Sequence, residues 1–220
     1  MRNLFYNLTL HEHGLQAFQH AGVDVVYERY TLASCAGNRI ARELGVPHLL
    51  EVNAPLAWEQ ERMRGLEMKD LARALETRIF CEADRLLVVS SALRELAQGC
   101  GVPAERIFVL PNAVDPARFD AALGEREAAR RELGLGQRCT IGFVGGLKPW
   151  HGTETLLEAF RRLRERGGDA HVLVVGEGPA GAQLRRFSAE HGLERDVTFT
   201  GEVPYAQVPR MLAAMDVVAT

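Results

Sequence analysis

Short apolar runs alternate with amphipathic segments along this chain. Eight of the runs are rich in Val, Leu, Ile and Phe and show little polar alternation, which is typical of strands covered on both faces. The predicted strands are Val23–Tyr27, His48–Asn53, Arg85–Val89, Arg106–Leu110, Thr140–Gly145, Ala170–Gly176, Asp196–Gly201 and Asp216–Ala219. Strands that alternate with helices form parallel βαβ units, so the pattern predicts an α/β fold with doubly wound parallel sheets.

Helical spacing is clearest in two of the intervening segments, Thr153–Arg166 and Tyr205–Met215. The apolar positions that define their inward faces are Leu156, Leu157, Phe160 and Leu163 in the first, and Val208, Met211, Leu212 and Met215 in the second. We interpret the methionines of the second segment as core residues.

The strand pattern breaks between Pro111 and Gln137, where proline and glycine are followed by charged residues. We interpret this stretch as a linker with one short helix, Glu125–Leu133. The predicted domains are therefore residues 1–112, a linker of residues 113–136, and residues 137–220. Two Rossmann-like halves joined by a hinge would place a binding cleft between them.

Composition excludes several classes of function. Among 220 residues, 26 are basic and 29 acidic, for a formal charge of -3, which does not favour nucleic acid as a partner. The four cysteines are widely spaced and indicate neither a zinc site nor a disulfide framework, so a reducing cytosol is the expected compartment. No apolar run reaches the roughly 18 residues that span a bilayer, and peripheral membrane contact stays open.

Several catalytic motifs are missing from the sequence. His11 and His13 lack the H-E-x-x-H spacing of a zinc enzyme, and we interpret them as surface or helix-entry residues. There is no G-x-S-x-G elbow and no Walker loop. The VGEGP turn is out of register with G-x-G-x-x-G, which disfavours an NAD-dependent enzyme.

Five segments, in order, resemble the retaining glycosyltransferases of family 4, which have the GT-B fold. They are GVPHLLEVNAP (45–55), EADRLLVVSSALRE (82–95), RIFVLPNAVDPARF (106–119), GFVGGLKPWHGTETLLEAF (142–160), and VVGEGP (174–179) with VTFTGEVPYAQVPRMLAAMDVV (197–218). The resemblance implies two Rossmann-like parallel-sheet domains. It also implies transfer of a sugar, with retention, from a nucleotide-diphosphate donor to a glycan or lipid-linked acceptor. Such enzymes need no metal or other cofactor and work in the cytoplasm or at the inner face of the membrane, in polysaccharide or glycolipid synthesis.

The resemblance also assigns donor-site residues. The donor phosphates would lie against Gly145, Gly146, Lys148, His151 and Gly152. The nucleotide would contact Gly176, Glu177, Gly178, Glu202 and Val203. Glycines allow close backbone approach, and a helix N-terminus supplies free N–H groups and about half a positive charge. The alternative interpretation of each segment is an ordinary turn whose glycines serve backbone geometry, with Lys148 and Glu202 as solvated surface residues.

Acceptor-side candidates come from the first half of the chain. Glu51 and Asn53 are two residues apart on a predicted strand, so they share a face at its carboxyl end. Ser90 and Asn112 are cleft or hinge candidates, with turn or capping chemistry as the alternative. The resemblance identifies no catalytic base or nucleophile.

Departures from the family pattern bear on activity. The family's first strand and glycine-rich turn are missing before His11, and its E-x7-E motif is expected beyond Thr220. Ala113 replaces the hinge glycine, while Gly146 and His151 replace an arginine and a lysine. We therefore expect both domains to be incomplete, with an exposed apolar edge strand and poor solubility. The alternative is a non-catalytic remnant or nucleotide-binding module. A sugar-nucleotide epimerase is disfavoured by the P-N-x-V-D hinge.

Overall fold

A computed structural model describes residues 2–220, and the chain forms two compact units that divide after Ala113. Each unit contains a four-stranded sheet in which every pairing is parallel. Helices follow the strands in both units. The predicted α/β class with two parallel sheets is confirmed.

The first unit contains a sheet with the strand order β1-β2-β3-β4. Its strands are β1 Val26–Arg29, β2 His48–Val52, β3 Arg85–Val88 and β4 Ile107–Val109. Its helices are α1 Arg2–Phe18, α2 Ala36–Leu44, α3 Leu56–Arg64, α4 Lys69–Glu82 and α5 Ser91–Gly99, with a 3-10 turn at Ala104–Arg106. Alternate residues of β2 and β3 are fully buried against Phe80 and Ile79 of α4.

The second unit contains a sheet with the strand order β7-β6-β5-β8. Its strands are β5 Cys139–Val144, β6 Ala170–Val175, β7 Val197–Gly201 and β8 Val217–Val218. Its helices are α6 Pro116–Leu123, α7 Arg126–Glu132, α8 Thr153–Glu165, α9 Gly181–Glu190 and α10 Val208–Ala213, with 3-10 turns at Pro149–His151 and Tyr205–Gln207. All six residues of β6 are buried, as expected for a strand covered on both faces.

The structure contains all eight predicted strands, with small differences at their ends. The first begins at Val26 rather than Val23. The predicted helix at Tyr205–Met215 begins with a 3-10 turn, because Pro209 has no N–H group and fits only the first turn of an α-helix. The edge strand β8 exposes about half of each of its two side chains.

The segment predicted as a linker is folded into the second unit. It contains α6 as well as the predicted helix, which is α7. Arg130 of α7 is buried, and its guanidinium donates to the carbonyls of Gly136 and Ala214. The charged composition of this segment predicted a linker. A buried arginine that donates to carbonyl groups cannot be distinguished from an exposed arginine by sequence alone.

Candidate donor site

Two loops meet at the carboxyl edge of the second sheet. One follows β5 and the other follows the adjacent parallel strand β6. The amide of Leu147 donates to the carbonyl of Glu177 at 2.9 Å, and the amide of Ala180 donates to the carbonyl of Leu147 at 2.9 Å. These bonds fix the loops against each other at the edge where open α/β sheets bind ligands.

Glycines at two positions make this approach of the loops possible. Gly176 has a φ of +130°, and a Cβ there would lie 2.0 Å from the carbonyl oxygen of Gly145. A Cβ on Gly178 would lie 2.5 Å from the carbonyl oxygen of Leu147. Both glycines are therefore required by the contact between the loops. This agrees with the alternative interpretation of the sequence, in which the glycines serve backbone geometry.

An open pocket of about 310 Å³ lies beside the two loops. Its lining residues are Val144, Gly145, Gly146, Val175, Gly176, Glu177, Glu202, Val203 and Val208. The fold thus brings six of the ten predicted donor-site residues together around one cavity. Its volume is at the lower end of the range of small-molecule sites, about 300–1,000 Å³.

The pocket wall has unpaired backbone donors. The amides of Gly146 and Glu177 have no hydrogen-bond partner among residues 2–220. In contrast, the carbonyl of Gly146 accepts from the amide of Lys148 at 2.9 Å and from Nδ1 of His151 at 2.6 Å. Unpaired N–H groups next to a carbonyl group that already accepts hydrogen bonds favour an anionic ligand.

Three predicted phosphate-binding residues lie outside the pocket lining. Lys148 is exposed, with Nζ 5.6 Å from the centre of the Trp150 ring. His151 contacts the loop backbone as described above. Gly152, with a φ of +71°, separates the 3-10 turn from α8, whose N-terminus has no side-chain cap. The binding roles proposed for these three residues remain predictions.

Sequence reasoning missed one charged neighbour of the pocket. Nη2 of Arg185, on α9, lies 2.9 Å from Oε1 of Glu177. The same guanidinium lies over the ring of Phe199, 4.6 Å from its centre. Glu177 is thus paired with a cation, and only the packing of α9 against β7 reveals this.

The first unit has a polar cluster at the carboxyl edge of its own sheet. Nδ2 of Asn53 donates to Oε1 of Glu51 at 2.8 Å, which confirms that the two side chains share a face. Arg29 donates to the same oxygen at 3.1 Å, and the Tyr27 hydroxyl donates to Oε2. These bonds, chiefly those from Tyr27 and Asn53, lower the pKa of Glu51. The parallel register that pairs Arg29 with Glu51 could not be read from the chain.

The remaining acceptor-side candidates, Ser90 and Asn112, make none of the hydrogen bonds of this cluster. Oγ of Ser90 accepts from the amide of Leu93 at 3.3 Å and so caps the N-terminus of α5. This agrees with the helix-capping role that was the alternative to a cleft or hinge role. Asn112 is exposed near the end of the first unit. Acceptor binding by Ser90 and Asn112 stays a prediction.

Residues 2–220 contain neither a metal-binding cluster nor a helix suited to cross a membrane. That range contains no group of three or more His, Cys, Asp or Glu side chains arranged to hold a metal ion. His11 lies within α1, with Nε2 2.7 Å from Oε1 of Glu43. None of the described helices combines the length and apolar character needed to cross a bilayer.

Two family models match the chain. The Glycosyltransferase Family 4 model covers residues 2–118, and the Glycosyl transferases group 1 model covers residues 125–220. The chain belongs to glycosyltransferase family 4. The resemblance inferred from the five segments is thereby confirmed.

Curated relatives include several sugar transferases. The 2-deoxystreptamine glucosyltransferase of Streptomyces kanamyceticus is 32% identical over 84% of this chain and 49% of its own length. The GDP-mannose-dependent alpha-(1-6)-phosphatidylinositol monomannoside mannosyltransferase of Mycobacterium tuberculosis is 34% identical over 70% of this chain and 40% of its own length. The family 4 chain thus spans half or less of these relatives.

Solved structures show the same fold. Anabaena HepE, in a complex with UDP, superposes with a TM-score of 0.75 at 21% identity, covering 96% of this chain and 56% of that one. Sucrose-phosphate synthase of Thermosynechococcus elongatus superposes with a TM-score of 0.70 at 19% identity, covering 96% and 55%. At this level of identity the likeness concerns the fold, and it confirms the GT-B class.

Proposed function

We propose that this family 4 protein transfers a sugar from a nucleotide-diphosphate donor to a hydroxyl group of a glycan or lipid-linked acceptor, with retention at the anomeric carbon. The observation that carries the proposal is the pocket beside the two glycine loops, with its unpaired amides at Gly146 and Glu177. The glucosyl- and mannosyltransferase names of the relatives support the reaction class.

In this proposal the pocket holds the nucleoside diphosphate. Breaking the bond between sugar and phosphate leaves negative charge on the diphosphate, and fixed N–H donors stabilise such charge better than mobile water does. Lys148, exposed on the same loop, adds a positive charge near the phosphates. The reaction needs no metal ion, and no side chain of this chain is assigned as base or nucleophile.

The physiological setting is part of the proposal. The mannosyltransferase relative is named for a phosphatidylinositol monomannoside, which supports a glycolipid acceptor. The proposed setting is synthesis of polysaccharide or glycolipid in the cytoplasm or at the inner face of the membrane. HepE was solved with UDP, and the mannosyltransferase uses GDP-mannose. UDP and GDP are therefore the first probes, with ADP as a third.

Binding of UDP, GDP and ADP, followed by calorimetry and by thermal shift, tests the proposal. Gly146→Leu is the informative variant, because a Cβ at Gly146 meets nothing closer than 3.8 Å and the longer side chain would enter the pocket. Gly124→Leu is the matched control, since its Cβ also meets only an ordinary contact, at 3.6 Å, and lies outside the pocket lining.

We expect one nucleotide to bind, the Gly146→Leu variant to lose at least about tenfold in affinity, and the Gly124→Leu control to match the unsubstituted chain. A chain that melts cooperatively and is not stabilised by any of the three nucleotides would contradict the proposal. A chain that binds the nucleotide but does not cleave the bond between sugar and diphosphate, when nucleotide sugar and acceptor are both present, would be a non-catalytic binding module instead.

A further inference from the structure

His151 contacts the backbone of the donor loop with one ring nitrogen. Its Nδ1 lies 2.6 Å from the carbonyl oxygen of Gly146, five residues earlier. A carbonyl oxygen can only accept a hydrogen bond, so Nδ1 carries the proton in this arrangement. Protonation of the ring at Nε2 leaves this bond in place.

Aromatic neighbours hold the ring of His151 in position. The ring centre lies 6.3 Å from that of Phe143, which is buried in the core of the second unit, and 6.0 Å from that of Trp150 in a perpendicular arrangement. Aromatic pairs at such distances are weakly attractive, which favours this orientation of the His151 ring.

The bond from His151 completes the fixing of one peptide unit, between Gly146 and Leu147. The oxygen of this peptide accepts from His151 and from the amide of Lys148 at 2.9 Å, while its N–H donates to the carbonyl of Glu177 at 2.9 Å. Both polar ends of the peptide are therefore held. A rotated peptide could turn the Gly146 carbonyl toward the pocket, where its partial negative charge would repel a phosphate.

We propose that His151 is a positioning residue that holds the Gly146 carbonyl in its present hydrogen bonds, so that the pocket wall presents the free amides of Gly146 and Glu177, and not this oxygen, to a nucleoside diphosphate. This role rests on the proposed function of the pocket. It differs from the role of a cationic phosphate ligand, because it requires Nδ1 and not the charge of the ring.

Substitutions of His151 separate these two roles. Asn places an amide nitrogen near the position of Nδ1, so His151→Asn retains the bond to Gly146. Gln places its amide near the position of Nε2, so His151→Gln loses the bond, as does His151→Ala. The chain offers a matched control in His191, whose Nδ1 makes the same kind of bond to the carbonyl of Phe187 at 2.9 Å, outside the pocket lining.

The first measurement is binding of UDP, GDP and ADP, and of the corresponding nucleosides, to each variant. We expect His151→Ala and His151→Gln to bind the diphosphate about five- to tenfold more weakly, the effect of losing one hydrogen bond. We expect His151→Asn to stay within about twofold of the unsubstituted chain, and His191→Ala to match it. Nucleoside binding should not change, because His151 acts only on the phosphate-binding wall.

The second measurement needs no ligand. Amide hydrogen exchange should become at least about tenfold faster at Leu147 and Lys148 in His151→Ala, and should remain slow in His151→Asn. Unchanged exchange in His151→Ala, or an Asn variant that behaves like Ala, would overturn the positioning role of His151 and leave the proposed function intact. If the unsubstituted chain binds none of the three diphosphates, the proposed function fails, and with it the phosphate-positioning role.

Discussion

The two ends of the second sheet are built from different kinds of residues. At the amino ends of the strands, charged and polar groups pair with one another. Arg138, before β5, bonds to His171 of β6 and to Asp196 before β7, and Asp216, before β8, accepts from the backbone amide of Thr140. At the carboxyl ends, glycine-containing loops border an open pocket. One end is internally satisfied, while the other leaves donors unpaired.

Arg130 is at the centre of the polar network at the amino ends of the strands. Its guanidinium donates to the carbonyls of Gly136, Arg138 and Ala214, and it lies 3.2 Å from the carboxylate of Asp216. Asp216 also accepts from the amide of Thr140 at 2.8 Å, the largest of the causes that lower its pKa. This network joins α7 to the starts of two strands.

The difference shows how one sheet serves stability and binding at opposite ends. Polar groups that are satisfied inside the protein stabilise it but have no capacity left for a ligand. Unpaired amides lose the internal bond but can bind an anion. Substitutions at the amino end should therefore change stability, and those at the carboxyl end should change binding unless they separate the loops.

The largest effect is expected from Gly176→Ala. This substitution lies at the carboxyl end of the sheet but should lower stability, because it forces the two loops apart. A Cβ 2.0 Å from the Gly145 carbonyl, at a φ of +130°, must displace backbone. Strain and overpacking together should lower the free energy of unfolding by about 4 kcal/mol. Urea unfolding followed by circular dichroism measures it. The control is Gly146→Ala, which has room for a Cβ, and equal unfolding midpoints for the two variants would contradict the structure.

Arg130→Met should cause the next largest loss. The substitution leaves the carbonyl groups of Gly136, Arg138 and Ala214 without their Arg130 donor and removes one of the two arginines paired with Asp216. These losses should lower the free energy of unfolding by about 3 kcal/mol. The adjacent residue Arg131 is exposed, so Arg131→Met is the control. Chemical denaturation compares the two. The affinity of the folded Arg130→Met variant for nucleotide should be unchanged, and a loss of affinity at equal folded fraction would show that the two ends are coupled.

A smaller effect should follow from acidification, through His171. Nδ1 of His171 accepts from Arg138 at 2.7 Å, and Nε2 donates to Thr198 at 2.8 Å, so the ring is neutral in the folded state. Burial first, and then the charge of Arg138, lower its pKa from the ordinary value of 6.5, whereas Asp196 opposes this shift and Arg130 adds to it. The unfolded chain therefore takes up a proton that the folded chain rejects, and stability falls as pH drops below about 6.5.

Melting temperatures of the unsubstituted chain and of His171→Asn, measured between about pH 7.5 and pH 5, test this titration. The variant should lose part of the acid sensitivity, because Asn cannot take up the proton. Asp216, with its lowered pKa, acts in a separate and more acidic range. Parallel curves for the two proteins would show that His171 does not contribute.

The smallest effect is expected in the first unit, where the side chains of Tyr27, Arg29 and Asn53 donate to Glu51 at the carboxyl edge of the sheet. Tyr27→Phe removes the principal hydrogen bond that lowers the pKa of Glu51, so this pKa should rise toward its ordinary value while stability changes little. Carbon-detected NMR titration of the Glu51 carboxyl group measures the shift. Tyr6→Phe, at an exposed tyrosine of α1, is the control, and an unchanged Glu51 pKa in Tyr27→Phe would remove Tyr27 from the cluster.

The order and type of the strands could be predicted from the sequence, because period and composition are local properties. A strand covered on both faces must be apolar along its length, and β6 shows this directly. The glycine positions at 145–146 and 176–178 were recognisable for the same reason, since a tight turn needs particular residues at particular places. Six of the ten predicted donor-site residues line one pocket because both turns end neighbouring strands.

Only the tertiary structure decided what each polar residue does. Arg130 is buried and Arg131 is exposed, although the two arginines are adjacent in the same helix, α7. Lys148 lies over Trp150, His151 bonds to the loop backbone, and Ser90 caps a helix. Each of these outcomes depends on which distant carbonyl, carboxylate or ring lies within about 3–6 Å, and such distances are set by packing and strand register rather than by neighbours along the chain.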